Sequence, residues 1–266
     1  MSTTFAEATA VQKVEEGRYG ATIPNQWQQG KGAFGGVVVG LLSRALLSHE
    51  AATDRPLRSL SAEICAPAQA VVSTIEVGVL RRGMSMSFLD ARLIQSDSIV
   101  AHATACVGKG RDLRMNRFSL PAPPKRPDWR DVPVAPVGPP LGPVFGQHYE
   151  FRLTGPFPFS GGKEPFAAGY IRERVPPAVL DTPAMLGLLD TFWPTAMVLE
   201  SAPRPMVTVG YTAQLLVDPR TLNPAEPLYY RAQGVATGDS YFVEMRELWS
   251  GDTVVALNQQ TFAVLG

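Results

Sequence analysis

Gly40-Leu41-Leu42-Ser43 and, 147 residues further on, Gly187-Leu188-Leu189-Asp190 are the stretches on which the fold turns. Each lies in a run suited to a helix. Val37 to Glu50 contains no proline, and Pro183 to Leu199 is interrupted inside only by Pro194, which can kink or end a helix because it has no amide donor. Two further matches follow in the same order. Ala62-Glu63-Ile64 resembles Ala213-Gln214-Leu215, and Asp97-Ser98-Ile99-Val100-Ala101 resembles Asp252-Thr253-Val254-Val255-Ala256. Their offsets of 151 and 155 depart from 147 only by small loop insertions. Three ordered matches at nearly one offset identify an internal duplication.

Outward from the matched helices, the two halves read alike. Strand-like runs follow the first at 57–66, 71–81, 85–95 and 99–107, and the second at 206–217, 228–236, 241–249 and 254–265. Arg82-Gly83, Ser96-Asp97-Ser98, Thr237-Gly238-Asp239 and Ser250-Gly251-Asp252 are placed as hairpin turns between them. Between the halves, nine prolines fall between Pro121 and Pro143, a composition that forbids helix or central strand and reads as an extended linker. The expected organisation is a first domain at 1–118, a linker at 119–145 and a second domain at 146–266. One long helix followed by four antiparallel strands makes each domain an α+β unit whose sheet must cover the helix to bury a common core. Two such units can join sheets, which removes an exposed edge from each.

Composition excludes several function classes. The 24 Lys and Arg balance 24 Asp and Glu, so no global field draws the chain to nucleic acid or an anionic membrane. No run approaches the ~18 apolar residues of a membrane helix, and 1–18 has no apolar core of signal-peptide length, so a cytoplasmic protein is expected. The two cysteines, Cys65 and Cys106, lie in apolar strand-like runs and read as buried free thiols. The three histidines show no metal-ligand spacing, and no serine-hydrolase elbow, Walker loop or dinucleotide fingerprint occurs. No metal and no cofactor is expected. Phe88, Phe192 and Phe262 read as core.

With Phe34-Gly35-Gly36-Val37-Val38-Val39-Gly40 opening the first helix and both repeats in place, the chain resembles the type II acyl-CoA thioesterases, whose chains carry two hot dog repeats. The resemblance covers nearly the whole chain. It implies tandem hot dog domains, an acyl-CoA substrate and a homo-oligomer. In that family the second repeat supplies an Asp from the helix, a Thr or Ser from the next strand and a Gln near the C-terminus, which together hold the hydrolytic water. The matching positions are Asp190, Thr208 and Gln260, with Gly35 and Gly36 matching the family's glycine pair beside the substrate. Thr212, four residues on, is read as a second hydroxyl on the face of Thr208. Gln259 neighbours Gln260; the latter is preferred because it shares its face with Ala256 and Asn258.

The chemistry asks for these residue types. A thioester carbonyl has little resonance stabilisation, so an oriented water matters more than protonation of the leaving group. A carboxylate takes the proton from that water, hydroxyl and amide groups fix it, and helix N-terminal amides suit the developing oxyanion. Plainer readings stand beside each residue: Asp190 on a solvent-facing helix surface, Thr208 as an ordinary strand residue, Gln260 exposed, and the glycine pair as a mere turn. Two other readings keep the fold, a non-catalytic acyl-ligand binder and an enoyl-CoA hydratase or dehydratase, the latter needing a His–carboxylate pair. Within the internal alignment Ser43 replaces Asp190 and Ala105 replaces Gln260, so one working site is expected, in the second half.

Overall fold

A computed structural model describes residues 3–51, 54–110 and 122–265. The first half runs α1 (Phe5–Ala8), β1 (Gln12–Glu15), β2 (Arg18–Thr22), a two-residue pair β3 (Gln28–Gln29) and β4 (Gly32–Ala33), α2 (Gly35–His49), β5 (Leu57–Ile64), β6 (Val72–Arg82), β7 (Met86–Gln95) and β8 (Ser98–Gly108). The second runs β9 (Tyr149–Leu153), β10 (Phe166–Glu173), α3 (Thr182–Leu188), β11 (Met206–Leu215), β12 (Leu228–Gly238), β13 (Tyr241–Ser250) and β14 (Thr253–Val264). Each half thus brings six strands to the main sheet rather than four. The two extra ones precede the helix; their sequence signal is weak because β1 is short and wholly exposed while β9 and β10 are interrupted by Arg152 and Gly169.

Among the described residues, twelve strands make one sheet in the order β1-β2-β6-β7-β8-β5-β11-β14-β13-β12-β10-β9. The order is palindromic, and every pairing is antiparallel. The halves join through β5 and β11, where Ser61 faces Thr212 on the pseudo-two-fold axis with their hydroxyls 3.2 Å apart. Even the irregularities repeat: β5 is bulged between Leu57 and Ser59, β11 between Thr208 and Gly210, β6 between Val79 and Arg81, and β12 between Gly234 and Ala236. Register therefore equates residues across the halves more finely than composition does.

The sheet curls around α2 and α3, and most of the buried apolar residues of both halves form one continuous core, with a smaller cluster around Tyr170, Tyr229 and Trp249. The matched glycines have a physical reason. A Cβ on Gly40 would lie 2.9 Å from the Phe5 ring and one on Gly187 2.6 Å from it, so both helices need a bare backbone where α1 packs. α2 extends as expected, but α3 ends at Leu188, well short of Leu199. Pro194 disfavours helix at Trp193, and only a short 3-10 turn, Thr195–Val198, follows.

The outer face of the sheet is open, which corrects two assignments. Phe88 pairs with Cys106 on that face and is 40% exposed; Cys106 is half-buried and Cys65, just past the end of β5, is exposed. Phe192 and Phe262 are core. From residue 122 the proline-rich stretch is laid against the second half. Ala135 bridges Phe151 on the edge strand β9, Trp129 Nε1 donates to Glu226 at 3.1 Å, and Val132 packs with Tyr170, Tyr229 and Trp249. No helix of the described residues is long and apolar enough to cross a membrane.

Candidate active site

Asp190 lies two residues past α3, in the turn that ends the helix, not mid-helix. Its amide donates to the Gly187 carbonyl at 3.0 Å, and its carboxyl is turned inward, only 8% exposed. A solvent-facing position is thereby excluded. The carboxyl meets the N-terminus of the other half's helix. A Cβ on Gly35 would stand 2.6 Å from Asp190 Oδ2, so only glycine leaves room there, and the Gly36 N–H faces the carboxyl group and favours its charged form. Gly35 and Gly36 are thus the floor under Asp190, where the positive end of the α2 dipole favours an anion.

Gln260 completes the contact from β14. It is fully buried, and its Nε2 donates to Asp190 Oδ1 at 2.8 Å and to Asn258 Oδ1 at 3.0 Å. Asn258 is itself held by donating to the Thr212 carbonyl at 2.8 Å. Gln260 Oε1 has no hydrogen-bond partner among the described residues. Gln259 is exposed.

Thr208 pairs with Phe262 on the face that carries Gln260, one bulge away from the Tyr211–Gln260 pair. Among the described residues no hydrogen bond joins its hydroxyl to Asp190 or Gln260. Thr212 does not share its face: the extra residue at the bulge turns it to the outer surface, where it meets Ser61. The structure therefore brings together Asp190, Gln260, Gly35 and Gly36, sets Thr208 beside them, and removes Thr212.

Two buried charges were not foreseen. Arg246 and Glu244 on β13 point to the same interior, 1% and 0% exposed. Arg246 Nη1 donates to the Leu189 carbonyl at 2.9 Å and lies 3.4 Å from Asp190 Oδ1, while its Nε donates to Glu244 Oε1 at 2.6 Å. A signal for them exists in the repeat itself: register equates them with Ala91 and Leu89, so polarity changes at matched inward positions. Burial raises the Asp190 carboxyl above the ordinary range; Arg246, the Gln260 amide and the Gly36 N–H each pull it down, and Glu244 pushes it up. Tyr149, Tyr211 and Tyr230 around it are all driven well up by burial and stay neutral.

A cavity of about 460 Å³ opens further along the second half, lined among others by Met206, Phe242 and Val264 from the sheet and by Ala196 and Leu199 from the 3-10 segment. Neither Asp190 nor Gln260 lines it. Among the described residues no group of three or more His, Cys, Asp and Glu side chains is arranged to hold a metal ion.

Residues 23–108 match the model of the acyl-CoA thioesterase N-terminal domain, and residues 119–264 match that of the acyl-CoA thioesterase C-terminal domain. The chain belongs to the acyl-CoA thioesterase family. Solved structures with this fold include a conserved hot dog protein of unknown function from Alicyclobacillus acidocaldarius, 25% identical over 100% of this chain and 99% of that one, with a TM-score of 0.89. Another is an acyl-CoA thioesterase II from Mycobacterium marinum, 17% identical over 98% of each chain, with a TM-score of 0.79. No curated protein matches the chain. The tandem hot dog architecture and the thioesterase family are those that the resemblance implied.

Proposed function

We propose that this family member hydrolyses an acyl-CoA thioester to a free acid and coenzyme A, through a water activated by Asp190. The observation that carries the reading is the Asp190–Gln260 pair, a buried carboxylate held at 2.8 Å beside the first turn of α2. Asp190 comes from one half and the helix N-terminus from the other, so the site needs both halves. Water oxygen adds to the thioester carbonyl while its proton passes to Asp190; the C–S bond then breaks, and the thiolate leaves with that proton. Gln260 Oε1, buried and without a protein partner, is an acceptor for the second proton of the water. The positive end of α2 stabilises the developing oxyanion, Gly35 leaves room for the Asp190 carboxylate rather than for the acyl group, and Thr208 lines the same face.

The partners of Asp190 favour hydrolysis over hydration of an enoyl group. They are an amide, a guanidinium and a backbone N–H, not an imidazole. The test is thiol release from short, medium, long and aromatic acyl-CoAs by the wild type and by Asp190→Asn. Release by the wild type alone is expected. Release from none of the panel, or equal release by both proteins, would overturn the reading.

A further inference from the structure

α3 stops at Leu188, and the chain that carries the candidate base is a short irregular segment, 189–195, in the middle of a buried core. Irregular backbone in such a place must be held by side chains, because it leaves polar groups that water cannot reach. Two charges on one face of β13 hold it at its two ends. Arg246 Nη1 takes the Leu189 carbonyl at 2.9 Å, immediately before Asp190. Glu244 Oε2 takes both the amide and the hydroxyl of Thr195, at 2.7 and 2.8 Å, immediately after Pro194. The two charges bind each other through Arg246 Nε and Glu244 Oε1 at 2.6 Å, so the clamp is a single unit. The Arg246 guanidinium also lies over the rings of Tyr230 and Phe262, which fix its plane.

The first half supplies the control. There α2 runs unbroken through the equivalent position, Ser43, to His49, so no segment needs clamping, and the strand positions matching Arg246 and Glu244 hold Ala91 and Leu89. The charged pair thus accompanies the broken helix and the carboxylate. Burying two charges in a core is unfavourable unless each is fully bonded, and apolar residues fill the same sites in the other half without difficulty.

We propose, building on the hydrolytic reading above, that Arg246 is the positioning residue for Asp190, orienting its carboxylate towards α2 and keeping it ionised, and that Glu244 tempers that effect while anchoring Arg246. Every element packed around Asp190 agrees. β13 contributes Arg246 and Glu244, β14 the uncharged Gln260 and Asn258, and α2 the Gly36 amide. β11, β12 and β9 contribute Tyr211, Tyr230 and Tyr149, neutral near pH 7. Arg246 is therefore the one positive charge facing the carboxylate among the described residues, and Glu244 the one other negative charge.

The two charges predict opposite displacements. A base must be ionised to act, so the acid limb of kcat/KM follows the Asp190 carboxyl. Arg246→Gln removes the attraction and moves that limb to higher pH, by about one unit or more. Glu244→Gln removes the repulsion and moves it to lower pH. A purely structural clamp would lower rate and Tm in both variants and leave the limb in place, so an unmoved limb, or displacement in one direction by both, would overturn the proposal. Arg246→Lys guards against a variant that does not fold: it keeps the charge and loses the fork, so the limb holds while kcat falls. Titration of Asp190 by 13C NMR in the full chain reads the same two directions without turnover. A chain that releases no thiol sinks the hydrolytic reading; unshifted NMR titrations sink the role of Arg246.

Discussion

The two halves match in the order and pairing of their six sheet strands and share the bulges of β5 with β11 and of β6 with β12, yet the interior of one is apolar where the other is polar. Register equates Leu57 with Thr208, Leu89 with Glu244, Ala91 with Arg246, Ala103 with Asn258 and Ala105 with Gln260. On α2 Ser43 stands for Asp190, and its hydroxyl donates to the Gly40 carbonyl at 2.9 Å. The facing helix end differs too. α2 begins with glycines under a carboxyl group, whereas α3 is closed by its own N-cap, Asp181, which accepts from the Ala184 amide and pairs with Arg44 at 2.9 Å. The first half shows that leucine and alanine suffice around an unbroken helix, whereas the second buries polar groups at a cost in stability, which the proposed hydrolysis would account for.

That comparison breaks most visibly at Asp190. Asp190→Asn should lower thioester turnover by roughly 10²–10⁴-fold, the usual reach of a general base, while Ser43→Ala stays within a few-fold of wild type. Loss of activity with Ser43→Ala and not with Asp190→Asn would assign the site to the wrong half. Next comes the amide: Gln260→Ala should cost about 10²-fold in kcat, as for loss of one orienting group, and Ala105→Gln should add no activity. Thr208→Ala, without a direct bond to the carboxylate, should lower the rate clearly but by less. Gly35→Ala places a methyl group 2.6 Å from Asp190 Oδ2, and a shift of about half an ångström in the carboxylate should cost roughly tenfold in rate.

The smallest effect concerns stability alone. Glu173 occupies the position of the apolar Ile23 of the first half, and burial, aided by Asp181, raises its carboxyl to about 7. The folded value lies above the ordinary one, so the neutral acid suits the fold. The stability it contributes is complete below pH 4.5 and lost as pH rises through 7. Glu173→Gln should leave Tm unchanged at pH 4 and raise stability by about 1–3 kcal/mol at pH 8. Equal melting of the two proteins at pH 8 would show the carboxyl ionising without penalty.

How much of this was legible in the chain differs from residue to residue. The repeat was, because Gly-Leu-Leu marks a place where two helices need bare backbone against Phe5, and such positions resist drift. Asp190 was, because a carboxyl among Leu186, Leu188, Leu189 and Phe192 has no apolar excuse. Glu244 and Arg246 were not. In a strand, alternation defines two faces without saying which is inside, and charge argues for the outside, yet here Met245 between them is the one exposed. Thr212 was misplaced because a single bulged residue reverses every side chain beyond it, and nothing in Val207-Thr208-Val209-Gly210 announces the bulge.

The shared bulges also bear on history. Arg58 and Val209 interrupt their strands at the same point, so the irregularity was present in the ancestral unit before it was doubled. Such a unit, paired with a copy of itself through the strand that now carries Ser61 and Thr212, would have built two identical sites, and every substitution would have altered both. Fusion ended that obligation. Once the halves were encoded separately within one chain, Leu57 and Ala105 could settle into the first without disturbing Thr208 and Gln260 in the second. The single covalent chain is what gives each half its own mutational fate.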